Sequence, residues 1–511
     1  MKKLSFLIAG ITFLVTMEAC KKWGDHIALP EQQLSETLME HIKKDPQLSS
    51  FANYVQQTGL DSLLNASKNI TVFAPGNDAL ATLPGSVTSN PAQLKAFLQN
   101  HISTNAYFTR DAVDSLRVPM ANGKRIFFIA RKFDEANITE GDIYVSNGVL
   151  HKIDKAIVPL QSIWEYILDS KSSFLQNNYI SSLNYLGQDP NLAELDSINP
   201  ATGEPVYKPG TGIVNINTFK TKVMDVANED SLFTYILLTN DAFNAEKTRL
   251  RPYFNGANAD TANSNTSWAA VKDFAVRGLY TEANLPAVLE SKFGVKIAMN
   301  RASIVSVKKL SNGIAYVMNA SGIALQEKIP VVYLEGENPY AFSVPNSATI
   351  FYRDRMNPLT GTNFKDIYLN MGSSGANRYV SYYTNQLYTT KYKVYLMSLN
   401  DKVVSPQADG TYGTDSTLSH TVRVFNRQAD TLALRFESSV NVTTNTYTEF
   451  YLGEFTNDEY NWLLSYPVSS PSGVAYTLNP ATRYIRVVAP ATATGRPFNL
   501  TVNYLRFEPV F

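Results

Sequence analysis

The chain has 511 residues, and its 45 lysines and arginines balance 45 aspartates and glutamates, so the formal net charge is zero. A neutral chain lacks the basic field that nucleic-acid binding requires, which argues against a nucleic-acid partner. The single cysteine excludes intrachain disulfides and metal sites built from several thiolates. The length exceeds the reach of one hydrophobic core and predicts several domains.

The N-terminus has the pattern of an export signal. Two lysines precede an apolar stretch from Leu4 to Met17, which is shorter than the about 20 residues of a membrane-spanning helix. The residues Met17–Cys20 resemble the lipobox of bacterial lipoproteins. The resemblance implies removal of a signal peptide at 1–19, lipidation of the Cys20 thiol, and a tether over 20–33. Several acyl chains on one cysteine hold a protein firmly to a bilayer.

Glu18 departs from the small residue usual at this place in a lipobox. The alternative is therefore a plain signal peptide followed by an incidental cysteine.

Four elements follow one another between residues 34 and 160. Ile70–Pro75 is a short strand stopped by proline, and Asn77–Leu80 opens a helical turn. Leu94–His101 has helical periodicity. Tyr144–Lys155 is predicted to be a hairpin in which Asn147-Gly148 occupies the two turn positions that require positive φ.

These elements, closing at Ile157–Pro159, resemble the fasciclin-type adhesion domain, with residues 34–160 as its extent. The resemblance implies a β-wedge with helices packed on one side and a role in cell adhesion or matrix contact. The family shares no catalytic apparatus. His101 matches the characteristic histidine at the end of the central helix, and we interpret it as a packing and hydrogen-bonding residue.

Residues 161–332 resemble a second, diverged fasciclin domain. Phe233–Phe243 echoes the first strand and turn, and Ser311–Met318 repeats the hairpin turn. Gly278 stands where the characteristic histidine is expected. Two polar insertions, Gly187–Gly212 and Arg251–Ser267, are predicted to be solvated loops.

From residue 333 to 511 the pattern changes to strands. Short alternating segments are separated by Gly, Pro, Asn and Asp, which is typical of an antiparallel sandwich. Their order resembles jelly-roll modules of the galactose-binding or carbohydrate-binding type. The predicted fold class is therefore multidomain, with two α+β fasciclin-type β-wedge domains followed by an all-β sandwich.

Sugar binding to this sandwich would depend on exposed aromatic rings, whose flat faces pack against a pyranose while polar side chains donate hydrogen bonds. The candidate ligand-binding residues are Tyr340, Tyr352, Arg353, Asp354, Tyr388, Tyr412 and Trp462. The alternative is that these aromatic side chains pack between the sheets.

Catalytic motifs are not found in the sequence. The five histidines lack metal-ligand spacing, and there is neither a glycine-rich phosphate loop nor a nucleophile elbow. We therefore predict no enzyme activity, no catalytic residue, no metal and no cofactor.

The combined prediction is a non-catalytic, lipid-anchored protein of the cell envelope. Its predicted partners are the membrane and either a polysaccharide or a cell-surface protein. Export with a lipid anchor and this domain order resembles outer-membrane lipoproteins of the Bacteroidetes, surface-exposed or periplasmic. Two functions stay open, namely adhesion or glycan capture, and a protein–protein scaffold of an outer-membrane complex. An apolar patch on a fasciclin repeat would favour the scaffold.

Overall fold

The structure is a computed structural model, and the residues it describes are 35–66, 69–256, 258–346, 348–357, 360–371, 374–400, 417–428, 431–443, 449–460, 466–469, 475–478, 482–491 and 498–511. Cys20, Tyr412 and Trp462 lie outside the described residues. In these ranges, no helix combines the length and the apolar character needed to cross a bilayer.

The N-terminal region, residues 35–160, begins with short helices. Thr37 caps the first one: its hydroxyl accepts from the backbone N–H of Glu40, and the Glu40 carboxylate accepts from the backbone N–H of Thr37 at 2.8 Å. The helices described here are α1 (Leu38–Lys44), α2 (Ser49–Gln57), α3 (Asp61–Leu64), α4 (Asn77–Ala81), α5 (Gly85–Thr88) and α6 (Pro91–Gln99), with 3-10 turns at Pro46–Leu48 and Thr109–Ala112.

The helices pack on a seven-stranded sheet with the order β2-β1-β7-β6-β5-β4-β3. β1 runs parallel to β7, and the other neighbours are antiparallel. Its strands are β1 (Ile70–Pro75), β2 (Ile102–Ser103), β3 (Leu116–Pro119), β4 (Arg125–Ile129), β5 (Lys132–Phe133), β6 (Ala136–Val145) and β7 (Gly148–Ile153). Phe51, Phe97 and Leu150 lie in the core between helices and sheet.

The β6–β7 hairpin is confirmed, but the prediction for its turn is wrong. Val145 pairs with Gly148, so Ser146 and Asn147 form the turn, and neither Asn147 nor Gly148 has a positive φ. Asparagine is required at position 147 because its side-chain oxygen accepts a hydrogen bond from the backbone N–H of Leu38 at 2.8 Å. Gly148 is required because a Cβ there would lie 2.0 Å from the carbonyl oxygen of Ile70.

His101 is fully buried, as its interpretation as a packing residue requires. Its Nδ1 lies 2.9 Å from the carbonyl oxygen of Phe97, and its Nε2 accepts from the backbone N–H of Ile157 at 3.2 Å. Burial lowers the pKa of His101 to about 4. The ring is therefore neutral at pH 7. Its two nitrogens link the C-terminal turn of α6, at Phe97, to Ile157 near the end of the region.

The middle region, residues 161–332, again combines helices with a sheet. Its helices are α7 (Ile163–Ser170), α8 (Leu175–Ser182), α9 (Thr218–Lys222), α10 (Asn240–Leu250), α11 (Ala259–Val271) and α12 (Leu325–Lys328), with 3-10 turns at Arg251–Tyr253 and Arg301–Ser303. Its strands are β8 (Asn184–Gln188), β9 (Leu195–Ile198), β10 (Pro205–Tyr207), β11 (Ile213–Asn217), β12 (Phe233–Leu238), β13 (Ala275–Arg277), β14 (Val288–Glu290), β15 (Lys296–Ala298), β16 (Ile304–Leu310) and β17 (Gly313–Met318).

The central strand of this sheet repeats the arrangement of β1. β12 is antiparallel to β13 and parallel to β17, as β1 is to β2 and β7. Asn312 accepts from the backbone N–H of Ile163 at 2.9 Å, in the same place as Asn147. A Cβ on Gly313 would lie 2.0 Å from the carbonyl oxygen of Phe233. The two regions therefore share the order of four strands, β2-β1-β7-β6 and β13-β12-β17-β16, and the hydrogen bond from the hairpin asparagine.

The prediction that Gly278 replaces the characteristic histidine is wrong. The backbone N–H of Phe73 donates to the carbonyl of His101 at 2.9 Å, and that of Ile236 donates to the carbonyl of Phe274 at 2.9 Å. Phe274 therefore occupies the place of His101, while Gly278 lies past β13.

The two predicted insertion loops are largely regular structure. The first forms a β arm, defined here as residues 184–217, in which β8 pairs with β11 and β9 pairs with β10. The second contains the start of α11, whose N-terminus is capped by Asn258 through the backbone N–H of Thr261. Polar composition alone does not separate a solvated loop from a capped helix or an exposed ribbon.

The C-terminal region, residues 333–511 with the preceding Val332, is confirmed as a large all-β region with several sheets. Its strands are β18 (Val332–Glu335), β19 (Ala341–Ser343), β20 (Thr349–Met356), β21 (Asn363–Asn370), β22 (Tyr379–Thr384), β23 (Thr390–Met397), β24 (Leu418–Gln428), β25 (Thr431–Val442), β26 (Glu449–Asn457), β27 (Tyr466–Ser469), β28 (Ala475–Leu478), β29 (Arg483–Val488), β30 (Leu500–Val502) and β31 (Tyr504–Val510).

Three of these sheets share one core. They have the orders β18-β31-β23-β26, β19-β22-β29-β24-β25 and β20-β21-β30. Val394 and Leu396 from the four-stranded sheet pack in the same apolar cluster as Val380 and Tyr382 from the five-stranded sheet and Ile367 from the three-stranded sheet. One face of each sheet is therefore buried, and the opposite face is left for other contacts.

The three regions contact one another through different chemistry. Lys124 of the N-terminal region pairs with Glu165 at 2.6 Å and Glu229 at 2.9 Å in the middle region. The middle and C-terminal regions meet through aromatic rings, where Phe254 packs against Tyr388 and Tyr460 with centroids 5.3 and 5.1 Å apart. Hydrogen bonds accompany these rings, since the backbone N–H of Thr389 donates to the Tyr253 carbonyl at 2.8 Å and that of Tyr460 donates to the Asn255 carbonyl at 2.8 Å.

Candidate functional site

The candidate site is the outer face of the five-stranded sheet in the C-terminal region. Side chains alternate between the faces of a strand. In β22, Val380 and Tyr382 point into the shared core, so Tyr379, Ser381 and Tyr383 lie on the outer face. The same alternation in β29 buries Ile485 and Val487 and places Tyr484 and Arg486 outside.

Three tyrosines form a cluster on this face, which we name the tyrosine triad: Tyr340, Tyr383 and Tyr484. The Tyr340 ring lies 5.2 Å from the Tyr383 ring and 6.0 Å from the Tyr484 ring, both edge-on. Tyr340 and Tyr383 are 56% and 52% exposed. Tyr340 directly precedes β19, and its backbone N–H donates to the carbonyl of Ser381 at 2.7 Å, which holds it against β22. Tyr340 and Tyr383 therefore present aromatic surface to solvent, with Tyr484 packed beside them.

Arg486 lies beside the triad between two further rings. Its guanidinium carbon is 4.1 Å from the ring centroid of Tyr379 and 5.1 Å from that of Phe425. By strand register Ser381 lies opposite Arg486, and Ala341 lies opposite Ser381. Ser381 is buried at 5% exposure, so the exposed part of this face lies at the tyrosines rather than at the serine.

Tyr388 does not lie on this face. It stacks on Tyr460 with centroids 5.0 Å apart and belongs to the contact with the middle region. Burial raises the pKa of Tyr388 to about 12. Its position corresponds to the alternative weighed for these aromatic residues, that of a packing side chain.

Tyr352, Arg353 and Asp354 follow one another on β20, in a different sheet. Tyr352 is exposed, and Asp354 is exposed with its carboxylate 3.7 Å from Lys365 Nζ. Arg353 makes a two-point ion pair with Asp366, whose carboxylate is buried, with Nε–Oδ1 and Nη2–Oδ2 distances of 2.7 and 2.5 Å. The structure therefore brings Tyr340 together with Tyr383 and Tyr484 rather than with the β20 residues.

Sequence reasoning missed Tyr383, Tyr484 and Arg486, although it predicted their strands. Tyr382 and Tyr383 are adjacent, and alternation shows only that they lie on opposite faces. A sequence signal for the outer face exists in β29, where Arg486 is separated from Tyr484 by a single apolar residue, Ile485.

The described residues contain no group of three or more His, Cys, Asp or Glu side chains that could hold a metal ion. Burial lowers the pKa of His420 to about 4, as it does for His101. Both rings are therefore neutral at pH 7, and neither contacts the tyrosine triad in the described part of the chain.

Comparisons with known proteins concern mainly the N-terminal region. The sequence profile of the fasciclin domain matches residues 46–159. Protein sll1483 of Synechocystis sp. is 32% identical over 133 residues, which cover 24% of this chain and 73% of that protein.

Two solved structures are matched at low identity and low TM-score. One is a FAS1 domain pair from the insect cell adhesion molecule fasciclin I, with 13% identity, a TM-score of 0.22, and coverage of 55% of this chain and 99% of that chain. The other is the family 11 carbohydrate-binding module of the Clostridium thermocellum cellulase Lic26A-Cel5E, with 11% identity, a TM-score of 0.19, and coverage of 36% of this chain and 96% of that chain. On the strength of the profile match and the cyanobacterial relative, the chain belongs to the fasciclin-domain family.

Proposed function

We propose that this protein is a non-catalytic, lipid-anchored component of a bacterial cell envelope that captures glycans through its C-terminal region. The observation that carries the proposal is the tyrosine triad, in which Tyr340, Tyr383 and Tyr484 are gathered on the outer face of one sheet. Aromatic faces backed by a rigid sheet bind the apolar faces of sugar rings, and hydroxyl groups supply directional hydrogen bonds.

The proposal includes a second fasciclin domain in the middle region and a sandwich in the C-terminal region. Support for the second domain comes from hydrogen bonds that occur at equivalent places in both regions. The Thr71 hydroxyl donates to the Asn105 carbonyl at 2.8 Å, and the Thr234 hydroxyl donates to the Gly278 carbonyl at 2.8 Å. The Asn147 and Asn312 side chains cap the first helices of their regions in the same way. Two such domains would hold the glycan-binding region away from the membrane and contribute the adhesion implied by the family.

Tyr383→Ala in the full chain is expected to weaken retention on polysaccharide gels at least about tenfold, about 1.4 kcal/mol, because an exposed ring of the triad is lost. Affinity electrophoresis against a panel of polysaccharides measures this. The full chain is used because the aromatic contact at Tyr388 covers part of the C-terminal region.

The matched control is Tyr451→Ala. Tyr451 is an equally exposed tyrosine, but it lies on β26 of the four-stranded sheet, where it packs on Tyr395. It is expected to leave retention unchanged. Equal losses for both variants, or retention on no polysaccharide at all, would contradict capture by the triad.

Lipid anchoring is proposed from the lipobox-like residues before Cys20. In the native host, the mature N-terminal peptide is expected to begin at Cys20 and carry acyl chains, and the protein to partition into the detergent phase. Cys20→Ser should move it to the aqueous phase. Mass spectrometry that found a free thiol, or a different first residue, would remove the anchor from the proposal.

The β arm favours a second function, contact with another protein. Its exposed apolar side chains are Tyr185, Leu186, Leu192, Leu195, Ile198, Val206 and Ile213. Several exposed apolar side chains concentrated on one arm are typical of an interaction surface. Deleting residues 189–212 discriminates between the functions, because glycan retention should survive the deletion if the triad binds. Loss of retention in this variant, with the fold intact, would favour the arm.

A further inference from the structure

Among the residues that the structure describes, Arg486 differs from the arginines around it in having no counter-ion. In the described part of the chain, no carboxylate lies within ion-pair distance of its guanidinium group, and its buried Nε has no hydrogen-bond acceptor. Other arginines of the C-terminal region are paired: Arg353 with Asp366, Arg423 with Glu437, Arg483 with Asp458, and Arg506 with Glu449 and Glu508.

The guanidinium group is held in place by stacking rather than by an ion pair. Tyr379 and Phe425 flank it at 4.1 and 5.1 Å. Stacking on rings immobilises an arginine but leaves its planar array of N–H donors free to bind a carboxylate or a sulfate. A half-buried cation without a counter-ion is energetically unfavourable until such an anion is bound.

The charges around Arg486 favour an anion. The residue opposite it on β24 is a second arginine, Arg423, and the residue opposite it on β22 is Ser381. The outer positions of β22 carry two tyrosines and this serine, without an acidic side chain. The nearest acidic group by register, Glu437, already pairs with Arg423.

We propose that the tyrosine triad selects acidic glycans, with Arg486 binding the carboxylate or sulfate group of a sugar whose ring stacks on the adjacent tyrosines. This inference rests on the proposed glycan capture and names its ligand class. The shared chemistry is a monovalent oxyanion on a saccharide ring, bound by the planar N–H donors of the guanidinium group. Tyr484 lies two residues from Arg486 on the same face of β29, about 7 Å along the strand, which matches the size of one sugar unit.

The test compares ligands that differ only in charge. The full chain is measured against polygalacturonate and its fully methyl-esterified form, and against dextran sulfate and dextran. Arg486→Gln is expected to weaken binding to the acidic polymers about 10- to 100-fold, since hydrogen bonds to charged groups contribute about 1.5–3 kcal/mol. Binding to the neutral polymers should change less than about twofold.

Two further variants separate a specific site from general charge. Arg486→Lys keeps the charge but loses the planar donors, so it should recover only part of the affinity. Arg110→Gln removes one positive charge from an arginine stacked on Phe108 in the N-terminal region and should have no effect. Retained circular dichroism and thermal midpoint show that each variant is folded.

Each outcome decides between the two proposals. Loss of binding to one acidic polymer alone identifies its group, carboxylate or sulfate, as the ligand and supports the inference. Acidic binding that Arg486→Gln leaves unchanged, or equal affinity for charged and neutral partners, overturns the inference. Glycan capture by the triad stands in both of these cases, provided that Tyr383→Ala still weakens retention. Binding to no polymer overturns both.

Discussion

Asp273→Ala is expected to lower the free energy of unfolding by about 3–5 kcal/mol, because it leaves a buried lysine without its counter-ion. The Lys328 ammonium donates to the Asp273 carboxylate at 2.6 Å and to the Ala269 carbonyl at 2.6 Å, and both side chains are fully buried. Ser291 adds a hydrogen bond to the same carboxylate at 2.8 Å. Urea unfolding followed by tryptophan fluorescence measures the change, since Trp268 lies in the adjacent helix α11.

The control removes the ion pair as a whole. The double variant Asp273→Leu with Lys328→Met replaces two buried charges by apolar groups of similar size and is expected to recover most of the lost stability. A loss of less than about 1 kcal/mol for Asp273→Ala would contradict the prediction, since an uncompensated buried charge costs more than that.

The same pair predicts a pH dependence. Burial raises the pKa of the Asp273 carboxyl, but the positive charges of Lys328 and Lys272 outweigh it, so the pKa lies below its usual range. A carboxyl with a lowered folded-state pKa stabilises the fold above its unfolded-state pKa of about 4, and the contribution is lost as the pH falls further. The wild type should therefore lose stability below about pH 4 more steeply than the double variant.

Gly148→Ala is expected to destabilise the N-terminal region by about 3 kcal/mol or more, since the new methyl group would meet the Ile70 carbonyl at 2.0 Å. The obstacle is backbone on the neighbouring strand β1, which cannot rotate away as a side chain could. Gly313→Ala should destabilise the middle region to a similar degree, because its Cβ would meet the Phe233 carbonyl at 2.0 Å. Denaturant unfolding with limited proteolysis assigns each loss to its region.

Gly85→Ala is the matched control. Gly85 lies at the start of helix α5, and a Cβ there has no heavy atom within 4 Å. The free energy of unfolding of the Gly85→Ala variant should stay within about 0.5 kcal/mol of the wild-type value. An unchanged Gly148→Ala variant would show that β1 and β7 are farther apart than the parallel pairing of Ile70 with Gly148 requires.

Local sequence patterns were sufficient for the parts of the fold that depend on neighbouring residues. The strand at Ile70–Pro75, the helical turn that begins at Asn77 and the helix before His101 are where the sequence predicted them. Proline, capping asparagine and apolar spacing act over a few residues, so their effects can be predicted from the local sequence. The turn at Asn147-Gly148 was recognised for the wrong reason, because its glycine is required by a strand distant in sequence.

The sequence by itself determined the fasciclin domain, the repeated hairpin and the all-β character of the C-terminal region. The tertiary structure alone decided which tyrosines are candidates for binding. Strand alternation separates Tyr382 from Tyr383 without saying which face is buried, and that depends on the sheets packed behind them. Tyr388 is covered by Phe254 from another region, a contact between segments far apart in the chain. Exposure is a property of the packed molecule, and so the face that can bind a ligand could be found only in three dimensions.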